Sequence, residues 1–252
     1  MFAHERQKII LDILRKRSRI SVPELQRTLQ ASPATVRRDL TFLEELGKIV
    51  RTHGGVMQPQ AAEVPFDRRS RAAHATKKAL AQAAVALAKS GDVVFVDAGT
   101  TTLEVGRRLL AIKSLTVVTN SIPLLQTQPA EGARLIALGG EVRSVSRALV
   151  GAGALEWVRT LNFNLAFLGT SGIDVETGPT TTELSEAGVK GAIARKADLV
   201  AVLADKSKWD RPAMIGYCGW NEVDHLFISH TPTDADHKAI TRHGTRIHVI
   251  RH

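Results

Sequence analysis

Five short segments of this chain combine glycine, small polar residues and charge in the way that binding an oxygen-rich anion demands. They are Asp97-Ala98-Gly99-Thr100-Thr101-Thr102, Thr119-Asn120-Ser121, Gly139-Gly140-Glu141, Gly169-Thr170-Ser171-Gly172 and Asp205-Lys206-Ser207-Lys208. Glycines allow close backbone approach, free N–H groups and hydroxyls donate to anionic oxygens, a lysine supplies counter-charge, and carboxylates accept from sugar hydroxyls. A second set suits duplex DNA. Arg37 and Arg38 lie in one short stretch with Ser32 and Thr35, and Lys48, Arg51 and His53 follow within 16 residues of Arg37. The planar guanidinium fork can grip guanine edges or phosphates with two bonds at once.

The elements that must carry the first set are strands. Continuous β-branched and apolar runs occur at 93–97, 115–119, 134–138, 164–168, 199–204, 225–229 and 246–250. Helical stretches separate them, beginning with an Ala/Leu-rich helix at 76–89. This pattern predicts an α/β fold with a mostly parallel sheet covered on both faces. In such sheets ligands sit beyond the carboxyl ends of the strands, which is where the five segments fall. A Walker loop is absent, and Gly151-Ala152-Gly153 lacks both a third glycine and a preceding strand, so known nucleotide fingerprints do not fit.

The basic set sits on a different pattern. Ile9, Ile10, Ile13 and Leu14 make one stripe of an amphipathic helix. Ser21-Val22-Pro23-Glu24 reads as a capping box opening a short helix to about Leu29. Ser32-Pro33 then restarts the chain as N-cap and first helical residue. Val36, Leu40 and Leu43 give the next helix its buried seam, and Gly47 is placed to end it. Two short helices, a tight turn and an alternating Lys48–Val56 ribbon turning on Gly54-Gly55 describe a winged helix-turn-helix whose second helix enters the major groove. Asp39 is acidic on a DNA-facing helix and is assigned to an internal pair with a nearby arginine.

Charge supports the division. The chain has 252 residues, a formal charge of +9 and a pI near 10.0. Residues 1–56 hold 11 Lys/Arg against 6 Asp/Glu, net +5, more than half the excess in under a quarter of the length. The predicted layout is a DNA-binding head at 1–57, a linker at 58–75 with the basic cluster Arg68, Arg69 and Arg71, and a sensing domain at 76–252. No run approaches the ~18 apolar residues that a membrane span needs, and a cytoplasmic protein is expected. Cys218 is the single cysteine, so no internal disulfide is possible. The scattered histidines show no metal spacing, and neither a metal nor a cofactor is expected.

The strings Ser32-Pro33-Ala34-Thr35-Val36-Arg37-Arg38-Asp39-Leu40 and Gly47-Lys48-Ile49-Val50-Arg51-Thr52-His53-Gly54-Gly55 resemble the DeoR family of bacterial transcription regulators. The likeness continues through Asp97–Thr102, Thr119–Ser121, Gly169–Asp174, Glu186–Lys190 and Ala204–Lys208. It implies a C-terminal domain similar in fold to ribose-phosphate isomerases and coenzyme A transferases that senses phosphorylated sugars. Carried over, Gly99, Thr100, Thr101 and Thr102 would cradle a phosphate, Asp97 and Asn120 would meet hydroxyls, and Lys206 would offset charge, with Gly139, Gly140, Gly169 and Ser171 also at the ligand. Glu186 and Lys190, four apart, either reach the ligand or form a surface pair worth ~0.3–0.5 kcal/mol.

The expected function is a repressor of a carbohydrate operon that binds operator DNA and is controlled by a phosphorylated metabolite. DNA half-sites repeat about every 34–36 Å, so at least a homodimer is expected. Two rivals stand beside it. One is an aldose-ketose isomerase with Asp97 or Glu186 moving the proton and Lys206 steadying an enediolate oxygen. The other is a nucleic-acid-binding structural protein without a ligand.

Overall fold

The structure, a computed structural model, describes residues 2–17, 19–46, 48–52, 54–57 and 63–251. Gly47 and His53, singled out above, lie outside the described residues, as do 58–62 of the linker. The chain divides into two compact units, Met1–Ala62 and Glu63–His252.

The first unit runs α1 (Ala3–Arg17), β1 (Arg19–Ser21), α2 (Val22–Leu29), α3 (Pro33–Glu45), β2 (Val50–Thr52) and β3 (Gly55–Met57). The caps act as the residue types dictate: Ser21 accepts from the Glu24 amide at 3.3 Å and Ser32 from the Thr35 amide at 3.2 Å. Ile10, Leu14, Leu25, Leu29, Val36, Leu40 and Leu43 bury the seam between the helices. Asp39 is buried and accepts from Arg6 Nε at 2.6 Å and Nη2 at 3.2 Å, the internal pair expected of it. The wing is larger than the alternating ribbon suggested. β1 joins it, giving a three-stranded antiparallel sheet in the order β1-β3-β2. A three-residue strand between two helices is too short to show a period.

The second unit begins with α4 (Phe66–Arg71) and α5 (His74–Ala84), so residues 63–75, read as linker, belong with it. Then come β4 (Val93–Val96), α6 (Thr100–Leu109), β5 (Thr116–Thr119), α7 (Ile122–Leu125) and β6 (Arg134–Ala137). A hairpin of β7 (Glu141–Arg143) and β8 (Ala148–Val150) leads into α8 (Gly151–Thr160) and β9 (Phe163–Gly169). β10 (Gly172–Asp174), β11 (Gly178–Thr181), α9 (Leu184–Ala194), β12 (Ala197–Ala204), β13 (Ile215–Gly216), β14 (His225–Ile228), α10 (Asp234–Thr241) and β15 (Arg246–Val249) complete it.

Seven strands form one parallel sheet in the order β15-β14-β12-β9-β4-β5-β6. These are the seven runs read from the sequence. Alternate residues feed two cores: Val94, Val96, Phe167 and Leu203 pack with α5 and α6, while Phe95, Ala166, Leu168 and Val202 pack with α8 and α9. From β4 the chain lays down β5 and β6 on one side, then returns to place β9 and β12 on the other. The order therefore reverses between β4 and β9, and their diverging loops open a crevice at that point. β10, β11 and β13 form a small antiparallel sheet beside it.

Candidate functional site

The crevice is lined by the N-terminus of α6 (Gly99, Thr100, Thr101), the end of β9 (Gly169, Thr170, Ser171), the end of β12 (Ala204, Asp205, Ser207, Lys208), Glu186 and Lys190 of α9, Thr181, and Arg69, Ala72 and Lys77 from the start of the unit. Gly99 is the N-cap of α6, so the first N–H groups of that helix point into the cleft without intrahelical partners. Thr102 closes the turn from below, its hydroxyl donating to Asp97 O at 2.7 Å.

Four cations border the cleft, and two are already committed. Lys190 Nζ pairs with Asp97 Oδ2 and donates to Gly169 O at 3.0 Å, with the Tyr217 ring 5.4 Å away. Lys77 is buried and donates to the carbonyls of Arg69 and Ala72, at the C-terminal end of α4. Burial lowers its pKa, with the nearby charges of Lys208 and Arg69 adding to the shift. The Lys208 ammonium makes no hydrogen bond among the described residues, and burial also lowers its pKa. Arg69 is the least satisfied: its Nε and Nη2 are buried without a hydrogen bond, and Nη2 lies 3.4 Å from Glu63 Oε1.

Glu186, in the wall, and Glu63, behind it, share Arg143. Glu186 is buried, accepts from Arg143 Nη1 at 3.1 Å and from the Thr181 hydroxyl at 3.2 Å. Arg143 also donates to Glu63 Oε2 at 2.6 Å. Burial alone would raise the Glu63 pKa. The hydrogen bond and charge of Arg143, the charge of Arg69 and the Thr182 hydroxyl outweigh it and hold the carboxyl below its ordinary range.

Several residues expected at the ligand lie elsewhere. Asn120 is a buried brace, its Oδ1 accepting from Ala98 N at 2.7 Å and its Nδ2 donating to Leu149 O at 3.4 Å. Asp97 and Thr102 lie beneath the loop with their polar groups spent inside the protein. Gly139 and Gly140 do not line the cleft and are closely packed: Gly140 has φ +134°, and a Cβ there would stand 2.5 Å from Val150 O. Lys206 is exposed and outside the cleft, and Lys208 borders it instead. Glu186 and Lys190 are not a surface pair, since both are buried and each has a different partner. Sequence reasoning missed Arg69, Lys77, Lys208, Thr170 and Thr181. Lys208 and Thr170 had a signal, each lying in one of the five segments, and Arg69 was marked only as part of the basic cluster.

In the first unit Ser32, Arg37, Arg38, Lys48 and Arg51 are exposed and Thr35 is half-buried. The guanidinium groups of Arg37 and Arg38 make no hydrogen bond among the described residues. Arg51 Nη1 is 3.9 Å from Glu44 Oε2, and the Ser32 and Thr35 hydroxyls share a 2.8 Å bond at the start of α3. Among the described residues no cluster of three His, Cys, Asp or Glu could hold a metal, and no helix is long and apolar enough to cross a membrane.

Comparison with known proteins bears on both units. Residues 6–61 match the DeoR-like helix-turn-helix domain, and residues 72–230 match the DeoR C terminal sensor domain. The chain belongs to the DeoR family of transcription regulators. It is 37% identical over 238 residues to the HTH-type transcriptional regulator GlpR of Haloferax volcanii, covering 94% of this chain and 93% of that protein. With the glycerol-3-phosphate regulon repressor of Escherichia coli it shares 28% identity over 247 residues, 97% of this chain and 98% of that one. Among solved structures, a ribose 5-phosphate isomerase from Methanocaldococcus jannaschii is 18% identical over 55% of each chain, with a TM-score of 0.38. This DeoR-family member is a DNA-binding regulator with a sensor domain, and the isomerase reading of Asp97, Glu186 and Lys206 falls with that assignment.

Proposed function

We propose that this DeoR-family regulator represses a carbohydrate- or glycerol-phosphate-related operon and that the cleft between β4 and β9 takes the phosphorylated metabolite that controls it. The observation that carries the reading is the pair of unspent cations, Arg69 and Lys208, at a cleft that also receives the free N–H groups of α6. A phosphate needs several donors and compensating charge, and a helix N-terminus beside a guanidinium edge supplies both. Ser171 and Asp205 line the rest of the cleft and suit hydroxyls, whereas the Thr170 and Thr181 hydroxyls are bonded within the protein, so the ligand is a small polyol or sugar carrying one phosphate. A relative that represses a glycerol-3-phosphate regulon agrees with that class.

The head, 1–57, reads duplex DNA with α3. On this reading Ser32, Thr35, Arg37 and Arg38 are the residues nearest the major groove, and Lys48, Arg51 and His53 serve the DNA backbone or the minor groove. Residues 58–62 connect it to the sensor, 63–252. The protein acts as a homo-oligomer in the cytoplasm, with paired heads matched to paired half-sites. The effector weakens DNA binding by favouring the DNA-free arrangement.

A thermal-shift screen of the full chain tests the ligand class. Glycerol and sugar phosphates are expected to raise the melting temperature, and the same compounds without phosphate are not. Equal stabilisation by both sets, or by neither, would refute the reading.

A further inference from the structure

The sensor unit begins with a strap, residues 63–72, fastened mainly by charge. Phe66 is its buried apolar anchor and its amide donates to Val145 O at 2.9 Å. Asp67 pairs with Arg147 at 2.7 Å, and Lys77 grips the carbonyls at the strap's far end. Glu63, at the near end, follows directly on connector residues 58–62. Its carboxylate takes bonds from Arg143 at 2.6 Å and from Thr182 at 3.0 Å.

Glu63 also reaches toward the cleft. Its Oε1 is 3.4 Å from Arg69 Nη2, close enough for attraction but without the geometry of a hydrogen bond. The two unsatisfied nitrogens of Arg69, Nε and Nη2, form one edge of the guanidinium. That edge matches two oxygens of a single anion. The same edge is filled elsewhere in this molecule, where Asp39 accepts from Arg6 Nε and Nη2. Arg69 therefore has a fork ready for a two-oxygen acceptor, and Glu63 is a poorly placed one.

We propose that a phosphate entering the cleft competes with Glu63 for Arg69, so that occupancy loosens the strap where it joins the connector to the DNA-binding head. This rests on the cleft being the effector site. A phosphate seated on the Nε/Nη2 edge draws Arg69 into full bidentate contact and brings a second anion beside Glu63. Glu63 keeps Arg143 but loses its share of Arg69, and the near end of the strap is the part that gives way. Glu63 is then a positioning residue through which ligand occupancy reaches residues 58–62.

The test uses the full chain with inorganic phosphate, read by titration calorimetry and by amide hydrogen exchange. Arg69→Ala is expected to weaken phosphate binding by at least tenfold, and Glu63→Gln to strengthen it by roughly tenfold, because the anion that competes for Arg69 is removed from a half-buried site. Glu63→Asp, which keeps the charge but shortens the reach, should fall between. Glu183→Gln removes a neighbouring carboxylate that touches Arg143 and not Arg69, and should change affinity less than twofold. Phosphate should speed exchange across 63–72 in the parent and not in Glu63→Gln. The relay is overturned if phosphate binds and Arg69→Ala abolishes binding while Glu63→Gln leaves it within twofold of the parent, or matches Glu183→Gln. It is equally overturned if exchange at 63–72 does not rise. Absence of saturable phosphate binding, with no protection at the start of α6, would instead sink the cleft reading, and the relay with it.

Discussion

Replacing Lys190 by Met gives the sharpest check on how the cleft is held together. The ammonium and the Asp97 carboxylate are both almost fully buried, with side-chain exposures of 6% and 1%. In the variant Asp97 Oδ2 keeps the Gly169 amide at 2.9 Å but faces no cation. Removing one partner of a buried pair costs about 3–5 kcal/mol, because the other charge is left uncompensated in a poorly polarisable interior. For a unit of this size that is a fall in Tm of roughly 6–20 °C. Adding Asp97→Asn removes the orphaned charge while the amide oxygen still accepts from Gly169. The double variant should recover much of the loss, with a coupling of at least about 1.5 kcal/mol in a double-mutant cycle. Urea unfolding of the four proteins measures it. A loss under about 1 kcal/mol for Lys190→Met, or additivity across the cycle, would mean that Lys190 is held for the ligand and not for the fold.

Three further outcomes follow from particular residues. Arg37→Ala and Arg38→Ala should each weaken duplex DNA binding in fluorescence anisotropy, lowering the slope of log affinity against log salt by about one where the contact is to phosphate, with melting unchanged; retention of affinity within twofold would remove α3 from the interface. Gly140→Ala should lower stability by more than about 2 kcal/mol in chemical unfolding, since its Cβ would press on Val150 O at a positive φ, yet leave phosphate affinity alone; a loss of affinity without a loss of stability would return Gly140 to the ligand. His225 Nδ1 and His248 Nε2 face each other at 3.0 Å, and burial first, then like charge, depresses both pKa values, against an opposing pull from Asp224 on His225. The unfolded chain therefore takes up protons that the folded pair refuses, and stability falls as pH drops below about 6.5. Melting at pH 7.5 and 5.5 should show that fall in the parent and a smaller one in His248→Asn; equal falls would show that this pair is not its source.

The seven main strands were legible because a parallel strand buried on both faces is a continuous apolar run, bounded here by Gly, Asp and Thr. The caps of α2 and α3 were legible because Ser followed by Pro leaves the backbone few alternatives. Strands of two or three residues, such as β7, β10 and β13, leave no period to read, and α4 has six residues with a single buried one, Phe66. For the cleft, the sequence marks which segments follow strands but not whether their polar groups are already used. Asn120 and Asp97 are of the right type at the right place, and both are spent on backbone amides or on Lys190. Lys206 and Lys208 share one tight helical turn, where two residues rotate the side chain by roughly 240°, so only one can face inward. Arg69 had no signal of its own, because a fold-back of the segment after a linker is invisible to periodicity.

The carboxylates of this cleft are poorly placed to move a substrate proton. A carboxylate that moves a substrate proton must present a free oxygen to it, with the proton-accepting geometry left open. Asp97 Oδ2 is closed off by Lys190 and the Gly169 amide, and Glu186 gives one oxygen to Arg143 and the other to Thr181. Lys206, the lysine that the isomerase reading set against an enediolate oxygen, is exposed outside the cleft, and Lys190 neutralises Asp97. Among the described residues the charged side chains of the lining that lack a hydrogen bond are cationic, the Nε/Nη2 edge of Arg69 and the Lys208 ammonium, and they stand beside the first N–H groups of α6. On the proposed reading such a set takes an anion, and the groups tied to Arg69 are the ones that would respond to it. These run through Glu63 and Arg143 to the start of the sensor unit.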